Sequence, residues 1–330
     1  MTALRFDEDA KEKKLNYSIG VAKIAIPESV KEIDIDFLRG HAFLSEIEVS
    51  PDNAAFGSTE GVLFTADGKK LICYPVRREG AEYVIPPGVE TLGEKAFALN
   101  GEIEKVTMPR SIRSIEKECF VTCRNLKEAE FNRGLREIGD QAFMYTSLEN
   151  VQLPDSVEWI GSGAFLLNDN FGEIVLPEKL RKMGYAAFEA DFGKTFTQEV
   201  IRIPANLEIG MCFLERVLFE RYEVDPDSSF YKEEDGILMS RDGTQLVSVP
   251  TLREGELFVP EGTLAVNYYA LNGCDLITDI YLPDSLLDIG NIGVTDKETG
   301  DFKYVIHCRE NSEASKKLDA KKVPWTAIGD

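Results

Sequence analysis

The sequence predicts an α/β solenoid: a parallel β-sheet on one face, short helical or irregular segments on the other, and two β-hairpin insertions. Three observations predict it. Short apolar strands ending in proline recur along the chain, the interval between them stays near 23 residues, and each is followed at a fixed distance by a small residue and a phenylalanine.

The strands are Ile24–Pro27, Tyr83–Pro86, Val106–Pro109, Val151–Pro154, Ile174–Pro177, Ile201–Pro204, Leu257–Pro260 and Ile280–Pro283, so eight of the fourteen prolines share one register. Ends without proline at Ser50, Asn132, Asp225 and His307 bring the series to twelve, at spacings of 23, 36, 23, 23, 22, 23, 27, 21, 35, 23 and 24. Residues one and three before each end are apolar, while those two and four before it vary, as a strand with one buried face requires. Three and six residues after the end come aliphatics such as Leu135 and Ile138. The pairs Ala96-Phe97, Cys119-Phe120, Ala142-Phe143, Ala164-Phe165 and Ala187-Phe188 follow. One strand, a sharp turn and a helix-like segment per coil fits this order, with Phe filling the interior. No coil buries its apolar side alone, so stacking is obligatory.

The intervals of 36 and 35 hold a second unit. Pro51–Pro75 matches Pro226–Pro250 at a constant offset of 175, and Asp67-Gly68 and Asp242-Gly243 are hairpin turn signals between alternating apolar runs. The expected organisation is a charged leader or partial cap at 1–16, a solenoid over 17–310 with hairpin insertions at about 51–83 and 226–257, and a C-terminal cap at 311–330. In that cap Ser312 is the N-cap of a helix over 313–321.

The pattern Leu148-Glu149-Asn150-Val151-Gln152-Leu153-Pro154, running on through Ile160-Gly161-Ser162-Gly163-Ala164-Phe165, resembles the BspA-like leucine-rich repeat family. The resemblance extends from about Ile24 to the C-terminus. It implies a leucine-rich repeat fold and a binding surface, often on bacterial cells in adhesion to host proteins, with no shared catalytic residues.

Charge and motif content narrow the function. With 37 basic and 58 acidic residues the net charge is −21, which repels phosphate backbones and anionic headgroups; neither nucleic acid nor bare membrane is an expected partner. No stretch is long and apolar enough to span a bilayer, and Met1–Asn16 is too charged for a secretory signal, so the chain as written reads as cytoplasmic. A secreted or cell-surface location is the alternative if a leader was trimmed. Only His41 and His307 are present, which argues against a histidine triad or a multi-histidine metal centre. Cys119 and Cys123 fall into the repeat, and Gly161-Ser162-Gly163 is its ordinary turn. No catalytic residue, metal site or cofactor is expected. The chain reads as a non-catalytic protein-binding module, or alternatively a surface adhesin or glycan-binding protein. The sequence sets no oligomeric state.

The outward sheet face and the hairpin edges are the expected binding surface. On that face Glu128, Glu130 and Glu173, with Asn150 and Gln152 between them, would attract a basic protein partner. Phe258 and Tyr281, beside Arg202 and Val305, form an aromatic hot spot, since aromatics and Arg dominate interface energies. A competing expectation has the hairpins folding back over Val84 and Phe258, leaving only Tyr281 free.

Overall fold

The computed structural model describes residues 4–5, 21–168, 170–189, 197–209, 214, 217–292 and 302–329. The chain divides into two compact units, residues 1–194 and 195–330.

In the first unit short strands form two parallel rows, and the coils that begin at Glu82–Val84, Lys105–Thr107 and Glu128–Glu130 contribute one to each. The first row is built from the strands at the repeat ends and one more at Leu4–Arg5: Leu4–Arg5, Lys23–Ile26 and Glu46–Val49 pair in order, and Glu82–Val84, Lys105–Thr107 and Glu128–Glu130 form a second parallel set. The aliphatics six residues past each end open the second row, in which Thr91–Leu92, Ser114–Ile115, Glu137–Ile138, Trp159–Ile160 and Lys182–Met183 pair in register. Between the second row and the next coil the chain turns instead of forming the helix-like segment expected. The physical reason is backbone handedness. Lys95, Glu118, Gln141, Gly163 and Ala186, each just before the small residue and Phe, have φ of 55°, 55°, 54°, 59° and 51°. A left-handed residue in each of these five coils stops an α-helix before its first full turn. The architecture is therefore a β-solenoid; its described α-helices are Ile35–Arg39 and Glu313–Lys321.

Coils stack closely enough to dictate residue size. A Cβ on Gly161 would lie 2.4 Å from the Asp140 backbone nitrogen in the coil before it, so only glycine fits there. Inside, the phenylalanines form a continuous ladder. Phe97, Phe120, Phe143, Phe165 and Phe188 stack nearly parallel at successive centroid distances of 4.6, 4.9, 5.4 and 5.2 Å. Tyr74 continues it at 4.9 Å from Phe97. The turn carbonyls at that end are capped by a buried arginine: Arg39 donates to the carbonyl oxygens of Tyr74 (3.1 Å) and Ala98 (3.0 Å) and to that of Ala96.

The two related segments fold alike. Phe56–Thr59, Val62–Thr65 and Lys70–Cys73 are antiparallel, as are Tyr231–Glu234, Ile237–Ser240 and Gln245–Ser248. The third strand of each joins the second parallel row, Lys70–Cys73 beside Thr91–Leu92 and Gln245–Ser248 beside Ala265–Val266. The turn of the first hairpin occupies a strand position in the first row. Ile47 N donates to Gly61 O at 2.9 Å, and Tyr222 N to Gly236 O at 3.2 Å in the second unit. These segments are thus built into the coil path, not side excursions from it.

In the second unit Thr197–Ile203 pairs with Leu218–Val224, and Gly255–Phe258, Ile277–Tyr281, Val305–Cys308 and Thr326–Ala327 form a four-stranded parallel row. The core against this row is mostly aliphatic, built from residues such as Leu246, Leu257, Val266, Leu271, Ile280 and Ile306 together with Tyr304, while the two-stranded sheet buries Phe219 and Tyr222, which meet edge to face at 4.8 Å. Leu271 stands at the repeat position that holds Phe in the first unit. The helix Glu313–Lys321, N-capped by Ser312, sets Ala314 and Leu318 on this core with Val323, and Trp325 packs beside them.

Candidate functional site

The outward positions of the first-row strands alternate with core residues, so their side chains point to water by the pleat alone. The row is not the unbroken ribbon of about a dozen strands that the repeat count suggests. In the first unit the hairpin turn at Gly61 follows Glu46–Val49, and residues 148–153 and 173–176 run alongside without strand geometry.

The acidic cluster is partly neutralised within the fold. Lys105, one strand before, reaches Glu128 at 2.9 Å and Glu130 at 2.6 Å. Its hydrogen bond holds the Glu130 carboxyl below the usual carboxylate range, and the two glutamates together raise the lysine. Asn150, Gln152 and Glu173 are exposed on the coils that follow.

On the second unit the candidate residues separate into two groups. Arg202 lies in the two-stranded sheet and pairs with Glu223 at 2.9 Å, which holds the glutamate, together with Arg221, below its ordinary value. Phe258 and Tyr281 stand side by side in the four-stranded row, stacked at 4.4 Å and 11°. The ladder has a third rung. His307 stacks on Tyr281, also at 4.4 Å and 11°, and its Nε2 lies 2.8 Å from Asp279 Oδ1. Tyr281 donates its hydroxyl to Glu256 at 3.3 Å.

His307 was missed as an outward residue because the last strand was read two positions out of step. Pairing of Tyr281 with His307 makes Arg309, not His307, the counterpart of Pro283, and places Val305 opposite Asp279. Burial of Ile306 and Cys308 carries the same alternation as Ile280 and Leu282, the signal by which the register is readable. The hairpins do not cover this face: Val84 is 68% exposed and Phe258 54%.

The described cysteines lie away from solvent. Cys73, Cys119, Cys123 and Cys274 are buried free thiols; burial pushes Cys119 well up, and Cys123 and Cys274 to about 12. Such thiols are poor nucleophiles. The Cys123 Sγ donates to Phe97 O at 3.0 Å, and in the same repeat column Asn100 and Asn168 bond turn carbonyls of neighbouring coils. Asp191, from the same column, and Cys212 lie outside the described residues. Among the described residues no group of three or more His, Cys, Asp or Glu side chains is arranged to hold a metal ion, and no helix is long and apolar enough to cross a membrane.

The family described as "BspA type Leucine rich repeat region" matches six copies over residues 90–211, the stretch that holds the stacked phenylalanines and the paired second row. Residues 90–211 are BspA-type leucine-rich repeats. The BspA-type coils are also where the left-handed turn residue recurs, so the repeat signature and the turn geometry coincide. None of the curated proteins compared with the chain matches it. Among solved structures, a leucine rich cell surface protein from Faecalibacterium prausnitzii A2-165 is similar at 20% identity and TM-score 0.55, covering 73% of this chain and 74% of that one. The pneumococcal vaccine antigen PcpA is similar at 18% identity and TM-score 0.51, covering 77% and 82%. At these identities the likeness is one of fold.

Proposed function

We propose that the chain is a non-catalytic module that binds a protein partner through the outward faces of its first-row strands. The observation that carries this reading is the solvent-facing ladder Phe258–Tyr281–His307, flanked by the carboxylates of Glu256 and Asp279. A half-exposed Phe stacked on Tyr contributes little to a core it does not enter, but it is the kind of rigid aromatic group that anchors interfaces. The outward acids Glu128, Glu130 and Glu173 add charge suited to a basic partner, tempered by Lys105. The edge strands of the antiparallel segments, Phe56–Thr59 in the first unit and Tyr231–Glu234 in the second, are included in the proposed contact surface of their own units.

The test is capture of macromolecules by the immobilised chain, compared with a Phe258→Ser/Tyr281→Ser variant. The reading expects a captured protein that the variant fails to hold while its melting is unchanged. Capture that is indifferent to the substitutions counts against it, and so does a hydrolase activity abolished by a single Cys or His substitution.

A second reading, a bacterial surface adhesin or glycan-binding protein, is favoured by the fold shared with a cell surface protein and a vaccine antigen. An apolar leader upstream in the full reading frame, or binding to a glycan in place of a protein, would select it.

A further inference from the structure

The bends joining first-row to second-row strands carry charge in a way unlike the rest of the first unit. Elsewhere a cation meets a carboxylate one or two coils on: Lys69 with Glu90 at 2.9 Å, Lys70 with Glu116 at 2.7 Å, Arg77 with Glu102 at 2.7 Å. In the bends at 110–113 and 133–136 like charges stack. Arg136 N donates to Arg113 O at 2.8 Å, so the two arginines are neighbours in adjacent coils, about 4.8 Å apart along the stack.

With Arg133 and Lys179 they line a depression of about 250 Å³ in which Glu158 is the one lining carboxylate. Glu158 also faces Arg181, at 3.9 Å. Among the described residues, Arg133, Arg136 and Lys179 have no carboxylate at ion-pair distance. The arrangement has local shape as well as charge. The Arg113 guanidinium donates from Nη1 to the carbonyls of Arg110 (2.6 Å) and Ile112 (3.0 Å). It lies in space left open by Gly134, on which a Cβ would fall 2.3 Å from that nitrogen.

We infer that this depression is a binding site for a tetrahedral oxyanion, phosphate or sulfate, carried free or as a terminal ester on a small molecule. Four cations held together against one carboxylate repel one another until an anion sits among them. Guanidinium forks match the oxygen spacing of phosphate and sulfate, and a doubly charged group offsets more of the repulsion than a carboxylate does. A chain of net charge −21 repels an extended polyanion, which restricts the ligand to a compact one. The site stands on the bends and is independent of the outward strand faces.

The test is calorimetric titration of the full chain with inorganic phosphate, sodium sulfate and glucose 6-phosphate, at ionic strength fixed with sodium chloride. Saturable binding is expected. Tighter binding of the sugar phosphate than of inorganic phosphate identifies an ester ligand, and equal binding a free ion. The Arg113→Gln/Arg136→Gln variant should bind at least about tenfold more weakly, since charge-assisted hydrogen bonds are lost. The rise in melting temperature that phosphate gives the wild type should vanish with them. Gly134→Ala keeps every charge yet displaces Arg113, and should also weaken binding several-fold with an unchanged circular dichroism spectrum. No saturable binding above the chloride background would overturn the inference. Binding that neither variant alters would do the same by showing a diffuse field, as would polyglutamate competing as well as phosphate.

Discussion

The two units use aromatic stacking in opposite places. In the first, the ladder from Phe97 to Phe188 is interior, and the outward strand positions carry ion pairs such as Lys105 with Glu128 and Glu130. In the second, no such stacked ladder fills the described interior: Leu271 holds the Phe position, the buried Phe219 and Tyr222 meet edge to face, and the ladder Phe258–Tyr281–His307 is on the outside. Both ladders follow from the same cause: coils stacked in register, through turns in the first unit and parallel strands in the second, place equivalent side chains one coil spacing apart, close to the stacking distance of two rings. What differs is burial. An interior rung removes its whole surface from water, whereas an exterior rung gains only its contact with its neighbour and leaves its edge available to a partner.

The comparison breaks or holds first at Phe143, which is fully buried between Phe120 and Phe165. Phe143→Ala should cost about 3–5 kcal/mol, since it opens a cavity in a close-packed interior. Chemical denaturation measures this, and a loss below about 1 kcal/mol would mean that the ladder does not set stability. Next is Arg39→Leu, which strips the donor from the carbonyls of Tyr74 and Ala98 at the ladder's end, while the Ala96 carbonyl keeps its bond from Tyr74 N at 2.7 Å. With buried acceptors unsatisfied at about 1–3 kcal/mol each, a loss of at least about 2 kcal/mol is expected in the same assay. Phe258→Ala should cost no more than about 1.5 kcal/mol, the scale of one aromatic pair, while removing partner capture.

A smaller effect on stability is expected from reversing Glu128, Glu130 and Glu173 to Lys. These side chains face water, so circular dichroism should be unchanged, while a basic partner binds more weakly; collapse of the spectrum would refute the face assignment. Smallest is a pH effect. The hydrogen bond from His307, aided by Thr278, holds the Asp279 carboxyl below its ordinary value. A carboxyl depressed in the folded state stabilises above its unfolded pKa, and that contribution fades as pH falls through the folded value. Carbon-detected NMR titration should show Asp279 ionising below the usual carboxylate range, and His307→Phe should return it towards normal.

The coil length, the core columns and the strand positions were legible because stacking forces the same residue type into each turn: Pro ends the strand, and Ala-Phe enters the core. The helical segment was misread because a left-handed residue such as Lys95, Glu118 or Gln141 leaves no compositional mark; of the five only Gly163 is glycine. The last strand slipped because no proline marks Arg309. Breaks in the first row were hidden because the Gly61 carbonyl, from a hairpin turn, takes a hydrogen bond that a strand would otherwise accept. The acidic cluster was overstated because a charge count over the face does not show that Lys105, in register with Glu128, reaches both Glu128 and Glu130. The cationic bend around Arg113 and Arg136 was masked in turn by the negative total. Local charge is set by which residues the coil period brings together, and the sum over the chain does not record that.

The central claim is that the second unit's exterior ladder is a contact surface. Hydroxyl-radical footprinting of the chain with its captured partner tests it residue by residue. The account predicts strong protection of Phe258 and Tyr281 on binding, with Phe143 inert in both states. Unchanged labelling of Phe258 and Tyr281, with protection confined to other surfaces, would contradict it.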